Sequence, residues 1–381
     1  MISCGEPSGD LYAGALAAEI ARIAPDTSVT GFGGERLRAA GATLVGDFHG
    51  ISVTGLLEVA RVLPKTYATY RRLVESAETE RPDVFVAIDF PDFNFRLAKA
   101  VRRLGVPVVY YISPQLWAWR PGRMKTMKRI ADRVLVIFEF EEALYRNAGV
   151  PVEWVGHPLL DVMPAVEPRE RILGAMGLTS RQPVVALLPG SRPNEIRAIL
   201  PGLVGAALRV RAKRPDVQFV LARAPRLADE LFAPLTELDN SAGRGSRVAV
   251  VCEKTDAVLA AADLALVASG TVTVQAALHE CPMIVVYRLS PLTFRLGRPF
   301  VHVDTFAMAN LVAGRKVVPE LIQDDFTPEA VASRALELLD DAGVRDSMRA
   351  GLRDVRSRLG LPGASARAAR AVVDIGRGRR S

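Results

Sequence analysis

Cysteine is scarce, with three in 381 residues at Cys4, Cys252 and Cys281 and no C-x-x-C pair. That spacing excludes a disulfide scaffold and a cysteine-built zinc site, and it fits a reducing compartment, so the chain reads as cytoplasmic. Histidine is sparse too: His49, His279 and His302 have no cluster partners in sequence, which leaves no histidine metal site. There is no D-x-D pair to carry a metal-bridged diphosphate and no G-x-x-x-x-G-K-[ST] phosphate loop. Gly31-Phe32-Gly33-Gly34 lacks the third glycine of a dinucleotide fingerprint, and no G-x-S-x-G nucleophile elbow occurs. Nor is there the stretch of ~20 apolar residues that a membrane-spanning helix requires. The longest uncharged run, Leu104 to Trp119, is broken by Pro107 and Pro114. No charged segment followed by an apolar one precedes the first glycine loop, so no secretory signal is expected.

What is present is an ordinary globular composition, 49% hydrophobic and 24% charged, far from the signature of disorder. At roughly 150 residues per domain the length predicts two domains or three. The net charge of +7 first suggests a nucleic-acid partner. From Arg345 onward, however, ten arginines face three aspartates, so the tail alone carries +7 and the body is neutral. A neutral body argues against duplex binding, and the tail suits either an anionic lipid surface or a solvated helix face.

Short runs rich in Val and Ile alternate with helical periodicity, the βαβ pattern of a covered parallel sheet. Strands are predicted at 27–32, 84–88, 106–112, 133–137 and 152–155, with helices at 10–24, 65–80, 93–104 and 120–131. The alternation pauses around Pro158, Pro164 and Pro168, then restarts with strands at 184–188, 217–221, 247–251, 264–267 and 283–287. The expected organisation is a Rossmann-like acceptor domain (1–157), a linker (158–168), a second Rossmann-like domain holding the nucleotide (169–344) and a basic tail (345–381). Two such α/β units would face each other across a cleft, their ligands at the carboxyl ends of the strands. Only four residues precede Gly5, which predicts that the natural start lies upstream.

Several turns could carry chemistry. Gly5-Glu6-Pro7-Ser8-Gly9-Asp10 is either an anion-friendly loop or a plain turn capped by Ser8 or Asp10. Leu188-Pro189-Gly190-Ser191-Arg192 and Ala268-Ser269-Gly270-Thr271 each follow a strand and precede a helix, and together they point to a nucleotide diphosphate, with Arg192 as its fixed cation. Asp89 is the first position past the cleanest strand of the first half, where a general base would stand, whereas Asp92 or Asn94 could cap the next helix. Trp117 and Trp119 sit in a loop, to stack on a sugar or to pack. His157, at the expected hinge, is either structural or catalytic. Val53 to Tyr70 and Leu289 to Val303 mix apolar and basic residues as an interfacial helix would, though core-facing helices do so as well.

Eight blocks in order carry a resemblance: GEPSGD (5–10), DFPDFN (89–94), SPQLWAWR (113–120), VGHPL (155–159), LPGSR (188–192), ASGT (268–271), PMIVVYR (282–288) and VPELIQ (318–323). Together they resemble the lipid-A-disaccharide synthases. The resemblance implies a GT-B glycosyltransferase, inverting and metal-independent with no cofactor, acting at the cytoplasmic face of the inner membrane. Its C-terminal helices would cross back to the first domain. It would join UDP-2,3-diacylglucosamine to 2,3-diacylglucosamine 1-phosphate, giving a β-1,6 disaccharide and UDP, and it leaves a homo-oligomer open.

Carried over, Asp89 falls on the base and Glu6 on the first-loop carboxylate. Gly190, Ser191, Arg192, Ser269, Gly270, Thr271 and Gln275 fall on the UDP side. Ser8, Asp10, Asn94, Trp117, His157 and Asn310 fall on the acceptor side of the cleft. Pro7 stands where small residues are usual, and Gln275 where many relatives place Glu toward the ribose. Those departures keep two rivals open: another GT-B enzyme on UDP-N-acetylglucosamine, transferase or 2-epimerase, and a catalytically silent nucleotide-sugar binder.

Overall fold

The computed structural model describes residues 1–48, 56–116, 121–241, 247–289 and 305–380. The chain forms two compact units, one holding Met1–Val162 and the chain from Leu359 onward, the other running from Met163 to Arg358.

The first unit is built on a parallel sheet of β1 (Ile2–Cys4), β2 (Thr30–Gly33), β3 (Thr43–Asp47), β4 (Phe85–Ile88), β5 (Val108–Tyr111), β6 (Arg133–Val136) and β7 (Val152–Trp154). Their order is β3-β2-β1-β4-β5-β6-β7. Phe85–Ile88 and Val108–Tyr111 are unbroken apolar runs, fully buried, because helices cover both faces of the sheet. The helix Leu56–Glu80 packs through Leu73 and Ala77, and Phe93 stacks on Phe32 at 5.4 Å between ring centres.

The second unit repeats the plan with β8 (Val184–Leu188), β9 (Gln218–Arg223), β10 (Ala249–Cys252), β11 (Leu264–Ala268), β12 (Met283–Tyr287) and β13 (Glu320–Ile322), ordered β10-β9-β8-β11-β12-β13 and again parallel. The sequence reading missed β3 and β13. The first is a half-exposed edge strand containing Gly46 and ending on Asp47; the second has three residues directly after Pro319. Neither shows the apolar run of a buried strand.

The basic tail is not one piece. Its first part is the helix Ala342–Ser357 of the second unit; after Arg358 the chain joins the first unit and ends in the helix Ala364–Arg380, which packs on the helix Pro7–Ile23. Asp161 caps the incoming helix, accepting from the amides of Gly363 (2.5 Å) and Ser365 (2.7 Å). Arg367 donates to the carbonyls of Val155, Leu361 and Pro362, and Arg353 pairs with Glu280. These arginines satisfy backbone and carboxylate groups of the fold. The segment expected as a linker also holds structure: Leu159–Val162 is a short helix of the first unit, and the second unit begins at Met163.

Candidate functional site

In a doubly wound sheet the crevice lies where successive crossovers leave in opposite directions. In the first unit that switch point falls between β1 and β4, which pair through Cys4 and Ile88. The residues directly beyond it are Gly5 and Glu6 on one strand and Asp89 and Phe90 on the other.

Asp89 and Phe90 both adopt left-handed backbone, with φ 45° and 48°. Non-glycine residues held there cost on the order of 1–3 kcal/mol each and persist only where the surroundings force them. Here the surroundings do. Asn94, one turn into the helix Pro91–Arg103, donates its amide hydrogens to the carbonyls of Asp89 (2.8 Å), Ile88 (3.1 Å) and Ser3 (3.2 Å), and accepts the Ser3 hydroxyl at 2.7 Å. Tyr110, fully buried on β5, donates its hydroxyl to the same Asp89 carbonyl at 2.9 Å. The Phe90 ring lies flat on Gly5, where an added Cβ would be 2.2 Å from the ring, so only glycine fits there.

Glu6 occupies the N-cap position of the helix Pro7–Ile23 with extended backbone, and Ser8 lies half-buried in that helix's first turn. Four expected acceptor-side residues do other work. Asn94 is wholly buried, its carboxamide spent as described. Asp10 is 4% exposed and accepts the amides of Gly34 (2.7 Å), Arg36 (2.9 Å) and Leu37 (3.1 Å), capping the helix Glu35–Ala39 from outside it. His157 is buried between Tyr12 and Phe138, accepts the Leu159 amide on Nδ1 at 3.2 Å, and is pushed down to about 3 by that burial. Asn310, in the second unit, is buried, holds the Val317 and Val318 amides on Oδ1, and donates to Glu320 at 2.7 Å. Asp92 is exposed and pairs with Arg123. Trp117 lies outside the described residues, as do 53–55 and 290–303 of the two apolar segments.

The second unit has its switch point between β8 and β11, and the two expected phosphate turns stand at it. Gly190 takes φ +115° and leads to Ser191 and to Arg192, the N-cap of the 21-residue helix Pro193–Lys213. Sequence reasoning missed Glu195. Its carboxylate accepts the Ser191 amide at 2.9 Å and the Arg192 amide at 3.2 Å, and approaches the Arg192 guanidinium at 3.3 Å. A capping-box spacing signals such a residue, but an arginine at the N-cap hides the pattern. Burial pushes the phenol of Tyr287, the last residue of β12, up, with Glu195 adding to the shift and Arg192 opposing it.

On the neighbouring turn, Gly270 and Thr271 are exposed, while the Ser269 hydroxyl donates to the Phe306 carbonyl at 2.9 Å. Gln275, expected toward a ribose, directs its amide at Asp256 (3.4 Å), which also bonds His279 at 3.0 Å. A groove of about 490 Å³ lined by Ile172, Met176, Lys254, Ala260 and these two partners reaches that cluster. A groove of about 730 Å³ in the first unit lies at the amino ends of β1 and β4, the opposite edge from Asp89. Among the described residues no group of three or more His, Cys, Asp or Glu is placed to hold a metal ion.

A family model described as lipid-A-disaccharide synthetase matches residues 1–369. The chain is 41% identical over 375 residues to a lipid-A-disaccharide synthase of Myxococcus xanthus, covering 98% of this chain and 97% of the relative. It is 43% identical over 378 residues to one of Geobacter metallireducens, covering 98% and 96%. Among solved structures, a UDP-GlcNAc 2-epimerase from Neisseria meningitidis bound to UDP-GlcNAc superposes with a TM-score of 0.69 at 14% identity, covering 98% of each chain. A glycotransferase of kitacinnamycin does so with 0.62 at 18%, again covering 98% of each. At such identities the likeness shows the fold alone, which is the GT-B type.

Proposed function

The chain belongs to the lipid-A-disaccharide synthase family and is a glycosyltransferase of lipid A assembly, and from that premise we propose that it condenses UDP-2,3-diacylglucosamine with 2,3-diacylglucosamine 1-phosphate. The products are the β-1,6 disaccharide 1-phosphate and UDP. The observation that carries the assignment of roles is topological. Each unit presents its chemically distinctive turn at its own switch point, Asp89 beside Gly5 and Glu6 in one, Gly190–Arg192 beside Ser269–Thr271 in the other.

Attack of a hydroxyl on the anomeric carbon with inversion needs a base on one side and a stabilised leaving group on the other. Asp89 is the base, and positioned general bases contribute about 10²- to 10⁴-fold in rate. Arg192 and the amides at the start of the helix Pro193–Lys213 offset the charge that develops on the departing diphosphate, without a metal. Because Glu195 holds those amides, a diphosphate that uses them must displace its carboxylate.

Both substrates carry acyl chains, and each buried methylene holds them in a bilayer by about 0.8 kcal/mol. The enzyme therefore works at the membrane surface, peripherally and from the cytoplasmic side. No helix among the described residues is long and apolar enough to cross. In support of surface contact, Leu63 and Tyr67 are 55% and 62% exposed on the helix Leu56–Glu80, which also carries Lys65 and Arg71. The test is mass spectrometry of the product formed from the two acylated monosaccharides. A disaccharide 1-phosphate with release of UDP is expected; an epimerised nucleotide sugar, or no release of UDP, would overturn the reading.

A further inference from the structure

A general base works only if its carboxylate is aimed, and the direction of a side chain is set first by the backbone that bears it. At Asp89 that backbone is in a region which a chain leaves unless held, and the next residue, Phe90, is in the same region. The Asp89 carbonyl is held by buried groups. Asn94 reaches it from the helix that follows, Tyr110 from the neighbouring strand, and Ser3 on β1 fixes Asn94 in turn. Ser3, Asn94 and Tyr110 are all fully buried.

We propose that Tyr110 and Asn94 are positioning residues for Asp89: by clamping its carbonyl from two directions they hold the left-handed turn and so aim the carboxylate at the acceptor hydroxyl. The inference rests on the reading of Asp89 as the base. The two clamps differ in what else they do. Asn94 also ties the end of β1 to the end of β4, so its loss would loosen the sheet edge as a whole. Among the described residues the Tyr110 hydroxyl bonds the Asp89 carbonyl alone. Burial, with the Asp89 charge adding to it, pushes the phenol well up, so it remains a donor wherever the enzyme is folded.

Replacing Tyr110 by Phe keeps the ring that packs against Phe95 and removes only the hydroxyl, which makes it the test. Four proteins are compared: wild type, Y110F, D89N and the double variant D89N/Y110F. Misplacement of a reacting group by a fraction of an ångström is costly, so kcat of Y110F is expected to fall roughly tenfold, with both KM values within about twofold of wild type. In the D89N background there is no base to aim, and adding Y110F should change kcat by less than about twofold. Equal slowing in both backgrounds would mean that Tyr110 acts structurally or elsewhere, and an unchanged kcat in Y110F would mean that the clamp is idle; either overturns the proposal. Failure of the underlying reading shows separately, as near-full turnover by D89N alone, and ends both.

Discussion

Glu195 and Arg192 form a closed pair at the start of the helix Pro193–Lys213, the carboxylate taking the Arg192 amide at 3.2 Å and its guanidinium at 3.3 Å. A resident anion thus sits on the donors that a diphosphate would use. Glu195→Gln keeps an acceptor for the amides and removes the charge. UDP is expected to bind roughly tenfold tighter, about 1.4 kcal/mol, by isothermal titration calorimetry. Weaker binding would mean that the carboxylate supports the turn more than it occupies it.

Asp89→Asn leaves the turn's shape intact, since Asn tolerates left-handed backbone better than most residues. Turnover should fall by about 10²- to 10⁴-fold while the thermal midpoint stays within a degree or two of wild type. Steady-state kinetics and a melting curve on the same preparation decide it.

His157 is held near pKa 3 in the folded protein, against an ordinary value of 6.5. Well above pH 6.5 the ring is neutral folded or unfolded and contributes almost nothing to pH dependence. Between 6.5 and 3 the unfolded chain takes up a proton that the folded one refuses, so stability falls as pH falls, by at most about 1.4 kcal/mol per unit. At pH 5 the loss from this one group is on the order of 2 kcal/mol. Denaturant titrations at pH 7.5 and 5.0 should show a smaller acid loss in His157→Asn, whose side-chain oxygen can still accept the Leu159 amide.

Leu63→Ser combined with Tyr67→Ser removes two exposed apolar groups and should leave the melting temperature unchanged. Each such side chain is worth up to ~1.5–3 kcal/mol when fully buried, so flotation with anionic phosphatidylglycerol vesicles should weaken at least tenfold. Unaltered flotation would move the membrane contact to another surface.

Activity should survive EDTA, because the developing charge is assigned to Arg192 and helix amides. A loss restored by added Mg²⁺ would show that a cation shares that task.

The two-unit plan could be read from the chain because buried parallel strands announce themselves: Phe85–Ile88 and Leu264–Ala268 are apolar throughout. The switch-point turns were legible for a related reason, since small or charged residues interrupt such runs where the strand ends. Asn94, Asp10, His157 and Asn310, expected on the acceptor side, are buried and bonded to groups of the fold. A polar residue looks the same in sequence whether its partner is a ligand or the fold's own polar groups: Asp10, His157 and Asn310 accept backbone amides, and Asn94 donates to backbone carbonyls.

The sequence by itself determined the two sheets, the placement of Asp89 and Arg192 at strand ends, and the family. Local periodicity and short motifs carry those, because they depend on neighbours a few residues away. Only the tertiary structure decided that Tyr110 on the adjacent strand holds residue 89 and that Asp161 caps the last helix. Those bonds join groups whose spacing along the chain is arbitrary, up to the 204 residues between Asp161 and Ser365, and only the packed fold fixes which of many equivalent donors and acceptors meet.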